Sequence, residues 1–546
     1  MEEFKGGILM YKKDTNRFAK IFKDPLYDYV EIDNDICDKI IDSKYFQRLK
    51  RIEQTSMRCL YTSARHDRFI HSIGVYHLAK IVIETLRKDE TPKGYIENFS
   101  VDEKIKDNIF FAFEMAALLH DIGHAPFSHT LEDYFKKVYT NDDNGTGVAS
   151  NTIEDIFIQE AKEINRKNAF DDINSFIEDF ENSKPNPHEV VSCIIIFRQF
   201  DKIIKILAES RGVEVDLLFV ARCILGATYK NTEIKNNDYK NCIIQLLNSA
   251  IDVDKLDYIA RDSSVSGFAN TLVDTKRLLA SLLLVQYSDK DGNKKLCLAF
   301  KKTAISVIQN VVTSRNSLYT WIYSHHKVLY ESNLIKKAVE LIAEKQASTP
   351  DGMRKELFIS KYFSPESIEN NLVCDDKIWN LFIKHTDISE VNEITERNSQ
   401  YKAIWKSFAE FQAYFNDGKT PTALEDYSFK RMNEFLNDKN ADWEDFANYL
   451  NEFKPREMEF RVVKANLKLA NIKPKEIMIY INERLYPFDE IFNNIYQKME
   501  IPPFFYVYCP KDTKNKLNEI SGVNMRKLKF DFIDHIKKYK EFKFVP

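Results

Sequence analysis

Arg68-Phe69-Ile70-His71-Ser72-Ile73-Gly74-Val75 and, further along, His120-Asp121-Ile122-Gly123-His124 decide how this chain is read. With the acidic cluster Asp252-Val253-Asp254 they offer the mixed imidazole and carboxylate donors that a catalytic divalent metal takes. Phe69, Ile73, Tyr76, Leu78, Ile81, Val82 and Leu86 recur at spacings that predict one apolar helical face. Phe110 to Leu119 reads as a nearly all-apolar buried helix. The donor candidates therefore sit on, or at the end of, core helices.

Adjacent residues on a continuous helix point about 100° apart, so His120 and Asp121 can share an ion only where the helix ends before Gly123. Asp254, Asp257, Tyr258 and Arg261 follow at i, i+3, i+4 and i+7, and this spacing predicts one helical wall facing a site. Taken singly, each of these residues more often packs quietly in a core. Ionisable groups set among Ala116-Ala117-Leu118-Leu119, however, need a metal or a partner to offset their desolvation. The joint pattern predicts a metal-dependent hydrolase.

The rest of the chain sets bounds. At 546 residues it is too long for one compact core, so a large domain with a smaller partner is expected. A net charge of -4 gives no global field for non-specific nucleic-acid binding. Eight scattered cysteines without a C-x-x-C pair predict free thiols in a reducing cytoplasm. No membrane span or signal segment is expected.

Asp289-Lys290-Asp291-Gly292-Asn293 between Leu282–Tyr287 and Leu296–Phe300 predicts a hairpin. Residues 141 to 186 read as an acidic insertion or lid, a loop at Asp142 to Gly147 followed by exposed amphipathic helices. Runs at Met458–Val463, Ile477–Ile481 and Phe504–Tyr508 predict strands. The expected fold is mainly α, a helical core over 1–435 with a small β-hairpin element, and an α+β region over 436–546. Lys511, Lys514, Lys516, Lys527, Lys529 and Lys537 to Lys543, interleaved with aromatics, leave single-stranded nucleic acid as a minor expectation.

The order His71, His120-Asp121, Asp254 resembles the HD phosphohydrolases. Lys20 to Pro25, Phe46 to Leu49, Arg68 to Ser72, His120 to His129, Asp252 to Tyr258, and Arg315 to Leu318 with Tyr323 are similar to the HD-domain deoxynucleoside triphosphate triphosphohydrolases. The similarity is confined to the HD part of that family, over roughly residues 20 to 340. It implies one divalent metal (Fe, Mn, Zn, Co or Mg) on His71, His120, Asp121 and Asp254, with further Mg on the triphosphate. It also implies hydrolysis at the α-phosphorus to nucleoside and triphosphate, in a role such as nucleotide-pool control or defence against phage.

By the same resemblance His129 is the general acid, oriented by Glu132 where the family usually has Asp, and His124 and His188 complete the wall. Arg68, Lys255 and Arg315 are implied to grip the triphosphate, Tyr258 and Tyr323 to flank sugar and base, and Gln54 and Asp262 to bond the 3′-hydroxyl. Thr55 stands where activated relatives carry leucine, so strict exclusion of a 2′-hydroxyl does not follow. Lys20, Asp42, Gln47 and Lys50 match positions that hold an activating nucleotide at a subunit interface of a tetramer or hexamer. Lys50 replaces an arginine there, and Tyr27-Asp28 replaces His-Gly. The alternatives are an HD phosphohydrolase acting on an NTP, NMP or cyclic nucleotide, or an idle nucleotide sensor or single-strand nucleic-acid binder.

Overall fold

The computed structural model describes residues 19–88, 101–141, 148–168, 172–234, 236–268, 273–288, 292, 294–349, 352–415, 431–432, 434–438, 441–453, 459–465, 476–491, 504–511 and 525–539. The helix Arg68–Lys88 packs against two others, Glu103–Leu119 and Val253–Ser266. Leu217–Leu225 closes over Glu103–Leu119, and Ile305–Leu318 lies on Val253–Ser266. Arg68–Lys88 is long and apolar enough to cross a bilayer, yet 61% of its most apolar window is buried against these neighbours.

Local chemistry sets the ends that matter. Asp102 caps Glu103–Leu119 by accepting from the Lys104 N–H, and the helix stops at His120. Its last turns, Met115 to Leu119, are wholly buried. Asp252 caps Val253–Ser266 by accepting from the Lys255 N–H, which puts Asp254 in the first turn. Gly123 lets the turn after His120 lie directly on the helix Pro187–Ile195, because a Cβ there would overlap the backbone of Ser192.

The expected hairpin forms from Leu282–Ser288 and Lys294–Lys301; residues 289–291 and 293 of its turn lie outside the described residues. Strands from either side of residue 435 share two sheets. Met478–Ile481 adds in parallel to Lys294–Lys301, and Tyr401–Ala403 pairs with Phe504–Pro510, which also pairs with Arg461–Ala465.

Among the described residues of 141 to 186, two helices pack against the helical core rather than standing off it. A hairpin, Lys137–Asn141 with Val148–Thr152, brackets the Asp142–Gly147 stretch, which lies outside the described residues. The helices Ile153–Asn168 and Ile173–Ser183 then pack inward, burying Ile153, Phe157, Ala161, Ile164, Phe176 and Phe180. Spacings of four and three put the first four of these on one face, and the Phe157 ring stacks on Phe197 at 5.8 Å. Glu154, Asp155, Glu178 and Glu181 are exposed on the outer side, whereas Asp179 is buried and accepts from Arg222 at 2.9 Å. Of the C-terminal lysines, Lys514, Lys516, Lys540 and Lys543 lie outside the described residues.

Candidate active site

His71 comes from the first turn of Arg68–Lys88, His120 and Asp121 from the end of Glu103–Leu119, and Asp254 from the start of Val253–Ser266. His71 Nε2 lies 3.0 Å from Asp254 Oδ1 and 3.7 Å from Asp121 Oδ2. His120 Nε2 lies 3.5 Å from Asp121 Oδ1 and 3.8 Å from Asp254 Oδ1. Neither Nε2 is in hydrogen-bonding geometry with any described residue, although both are buried. Their other nitrogens are engaged, His71 Nδ1 with Asp257 at 2.7 Å and His120 Nδ1 with the Ala117 carbonyl at 2.9 Å. Two imidazoles fixed at Nδ1, with Nε2 converging on two carboxylates but bonded to neither, fit a divalent metal.

The Asp254 wall divides in two. Asp254 and Tyr258 face the cleft, whereas Asp257 and Arg261 are buried behind His71 rather than open to a site. Arg261 donates through two nitrogens to Asp257, at 2.8 Å each, and to Asp24 at 3.0 Å, while the Tyr27 hydroxyl donates to Asp257 at 2.8 Å. A Cβ at Gly74 would overlap Asp257 and Arg261, so this glycine makes room for the relay. Burial works against a charged His71, but Asp254 and Asp257 outweigh it and push the metal-free ring up to about 10. Burial likewise opposes ionisation of Asp121, and Arg68 with the surrounding histidines holds its carboxyl well below the usual range.

A cleft of about 470 Å³ opens over Asp121 and Asp254. On one side Glu132 Oε2 lies 2.8 Å from His188 Nδ1 and 3.1 Å from His129 Nδ1, so the expected orienting carboxylate serves two histidines. His124 stacks on His188 with ring centres 4.2 Å apart, wholly buried and with both nitrogens unpartnered among the described residues. Burial opposes protonation of His188, yet Glu132 pushes it up to about 9. Burial, Arg68 and His188 push His124 well below its usual value. A cationic ring thus stacks on a neutral one.

All eight expected substrate residues line this cleft, but they are not equally free. Arg68 is committed, donating to Asp121 at 2.7 Å, Ser128 Oγ at 3.0 Å and the Gln54 carbonyl at 3.0 Å, so it fixes a ligand and a loop. Lys255 Nζ pairs with Asp252 at 2.6 Å. Arg315 is different: its Nε and Nη1 are buried without a partner among the described residues. Asp262 is held by His66 at 2.6 Å and by the Tyr323 hydroxyl, while Gln54 Oε1 and Thr55 Oγ1 are unpartnered among the described residues. Sequence reading missed Tyr319, whose ring lies 5.4 Å from the Arg315 guanidinium; the i, i+4 spacing was the available signal. It also missed Asn248, which no motif flanks, and His66, Asn186 and Glu189, which stand within two residues of Arg68 or His188.

The residues expected to hold an activator lie outside this cleft. Lys20 Nζ sits 2.8 Å from both Asp38 and Asp42, Gln47 donates to the Ile41 carbonyl at 2.8 Å, and Lys50 stands 4.4 Å from the Phe69 ring centre.

The HD domain family matches residues 68–203. An HD domain-containing protein of Acanthamoeba polyphaga mimivirus is 26% identical over 342 residues, covering 61% of this chain and 60% of that protein. A deoxynucleoside triphosphate triphosphohydrolase of Xenopus laevis is 25% identical over 413 residues, covering 73% of this chain and 57% of that one. The chain spans little more than half the length of these relatives. A hypothetical protein from Aquifex aeolicus shares the fold at 18% identity and a TM-score of 0.54, over 95% of this chain and all of that one. A phosphohydrolase from Bacteroides thetaiotaomicron does so at 19% identity and a TM-score of 0.53, over 90% of this chain and all of that one. The chain therefore carries an HD domain within a larger helical fold, and it is similar in sequence to the HD-domain deoxynucleoside triphosphate triphosphohydrolases.

Proposed function

We propose that the protein is a metal-dependent phosphohydrolase that cleaves deoxynucleoside triphosphates at the α-phosphorus, releasing a deoxynucleoside and triphosphate. The observation that carries this reading is the convergence of His71, His120, Asp121 and Asp254 beneath a cleft that holds both Arg315, with Nε and Nη1 unpartnered among the described residues, and the imidazole pair on Glu132. A divalent ion on those four residues would supply Lewis acidity and lower the pKa of bound water. The protein's own residues account for the rest. Arg315 offers Nε and Nη1 to phosphate oxygens, and His188, raised by Glu132, adds positive charge in a chain of acidic net charge. His129, bound to Glu132 through Nδ1, keeps its other ring nitrogen for the 5′-oxygen that leaves with the nucleoside.

Homo-oligomerisation and an activating nucleotide near Lys20, Asp42, Gln47 and Lys50 belong to the same proposal; the activator would have to displace Asp38 and Asp42 from Lys20. A second reading, use of ribonucleotides, is favoured by the unpartnered Thr55 hydroxyl and Gln54 oxygen, either of which could meet a 2′-hydroxyl. The test is a panel of four dNTPs and four NTPs, singly and mixed, with Mn or Mg. Turnover of dNTPs that is lost in Asp121→Ala supports the proposal. Equal turnover of NTPs supports the second reading, and no turnover of any triphosphate contradicts both.

A further inference from the structure

The turn between Asp121 and His129 is held from a distant part of the chain. Phe127 and Ser128 are consecutive non-glycine residues with φ of 56° and 50°, a conformation that L residues avoid unless their surroundings impose it. Asp375, at the start of the helix Asp375–Ile383, supplies that constraint. Its Oδ1 accepts from the Phe127 N–H at 2.7 Å, and its Oδ2 accepts from the Glu53 N–H at 2.9 Å. The carboxylate is 5% exposed and thus ties together two loops that reach the cleft, one leading into His129 and the other into Gln54 and Thr55.

The same helix receives the Phe127 ring, with centres 6.0 Å from Trp379 and 6.4 Å from Phe382. Arg48, also buried, donates to the Val373 carbonyl at 2.7 Å and to the Ile122 and His124 carbonyls at 2.7 and 3.0 Å. Arg68 ties Asp121 to this same turn, donating to Asp121 at 2.7 Å and to Ser128 Oγ at 3.0 Å, whereas the bonds of Asp375 run to the two loops and to no metal-ligand candidate.

We infer that Asp375 is a positioning residue: it holds the Phe127–Ser128 turn in its left-handed conformation and so sets His129 against the Gln54–Thr55 edge of the cleft. Its effect on turnover rests on the hydrolase reading above. Asp375→Asn keeps the shape but presents an NH₂ to one of the two N–H donors. A displaced proton donor costs about 100-fold, so kcat should fall by about that much, with KM within about threefold and metal content unchanged. Because Asp375 acts through His129, the substitution should cost less than about threefold when made on His129→Gln.

Additive losses in the double variant, or wild-type kcat in Asp375→Asn, would overturn the inference. If Asp375→Asn folds poorly, Asp375→Glu retains both oxygens one methylene out of place; an intermediate fall in kcat at unchanged KM is expected, and wild-type kcat would count against the inference. ¹⁵N-histidine spectra separate this inference from the hydrolase reading. Should the wild type hydrolyse no nucleotide, that reading fails, while a change in the His129 and His188 signals of Asp375→Asn, with His71 and His120 unmoved, still supports the positioning role. Unmoved His129 and His188 signals would overturn it.

Discussion

His71 is fixed at one end of its ring: Asp257 holds Nδ1 and thereby aims Nε2 at Asp121 and Asp254. Asp257→Asn can still accept that hydrogen bond but removes the charge behind it. It should weaken divalent-metal binding by about 10–100-fold, read by isothermal titration with Mn. Unchanged affinity would mean that Asp257 serves only Arg261. At the opposite wall His188 is raised from the ordinary histidine value of about 6.5 to about 9 by Glu132. A group whose folded pKa is raised contributes stability that is full below about pH 6.5 and lost as pH rises through about 9. Urea unfolding should therefore show declining stability across that window, with a shallower decline in Glu132→Gln. At this scale the candidate ligands were legible because His120 and Asp121 follow directly on Ala116-Ala117-Leu118-Leu119, where ionisable groups demand an explanation. The burial of Asp257 was not legible, because i+3 from Asp254 predicts the same helical face as Tyr258 at i+4, and its partners Tyr27 and His71 lie far away in sequence.

The helices bring these residues together only because two of them approach closely. At Gly74 the helix Arg68–Lys88 passes the Asp257–Arg261 pair with no space for a methyl group. Gly74→Ala should destabilise the fold by about 1–3 kcal/mol by overpacking, read by chemical denaturation, and should also weaken metal binding by tilting Asp257. A stable variant with intact metal affinity would show that the helices can shift apart freely. Helix existence and the 282–301 hairpin were legible from period and turn chemistry. The packing of residues 153–183 was not, because an amphipathic helix with an acidic outer face reads the same whether it covers a core or a pocket mouth. The αL turn at Phe127–Ser128 left no signal either, since neither residue is one that usually adopts it.

Across the whole molecule, the C-terminal strands complete sheets begun by the helical part. Lys294–Lys301 pairs with Met478–Ile481, and Trp405 donates to the Phe505 carbonyl at 2.7 Å while their rings pack at 5.6 Å. A chain truncated after residue 435 would expose the Lys294–Lys301 edge and the apolar surface around Trp405, and it should aggregate rather than yield a soluble helical core. A soluble, monodisperse truncation with native helicity would contradict that. The change from helical to alternating pattern was visible in the sequence, but nothing local in it reveals that strands so far apart share a sheet. The central claim, attack at the α-phosphorus, is tested most directly by hydrolysing a dNTP in H₂¹⁸O with Mn and locating the label by mass spectrometry. The account predicts ¹⁸O in intact triphosphate and none in the nucleoside. Label in orthophosphate or diphosphate, with a nucleotide left behind, would contradict it.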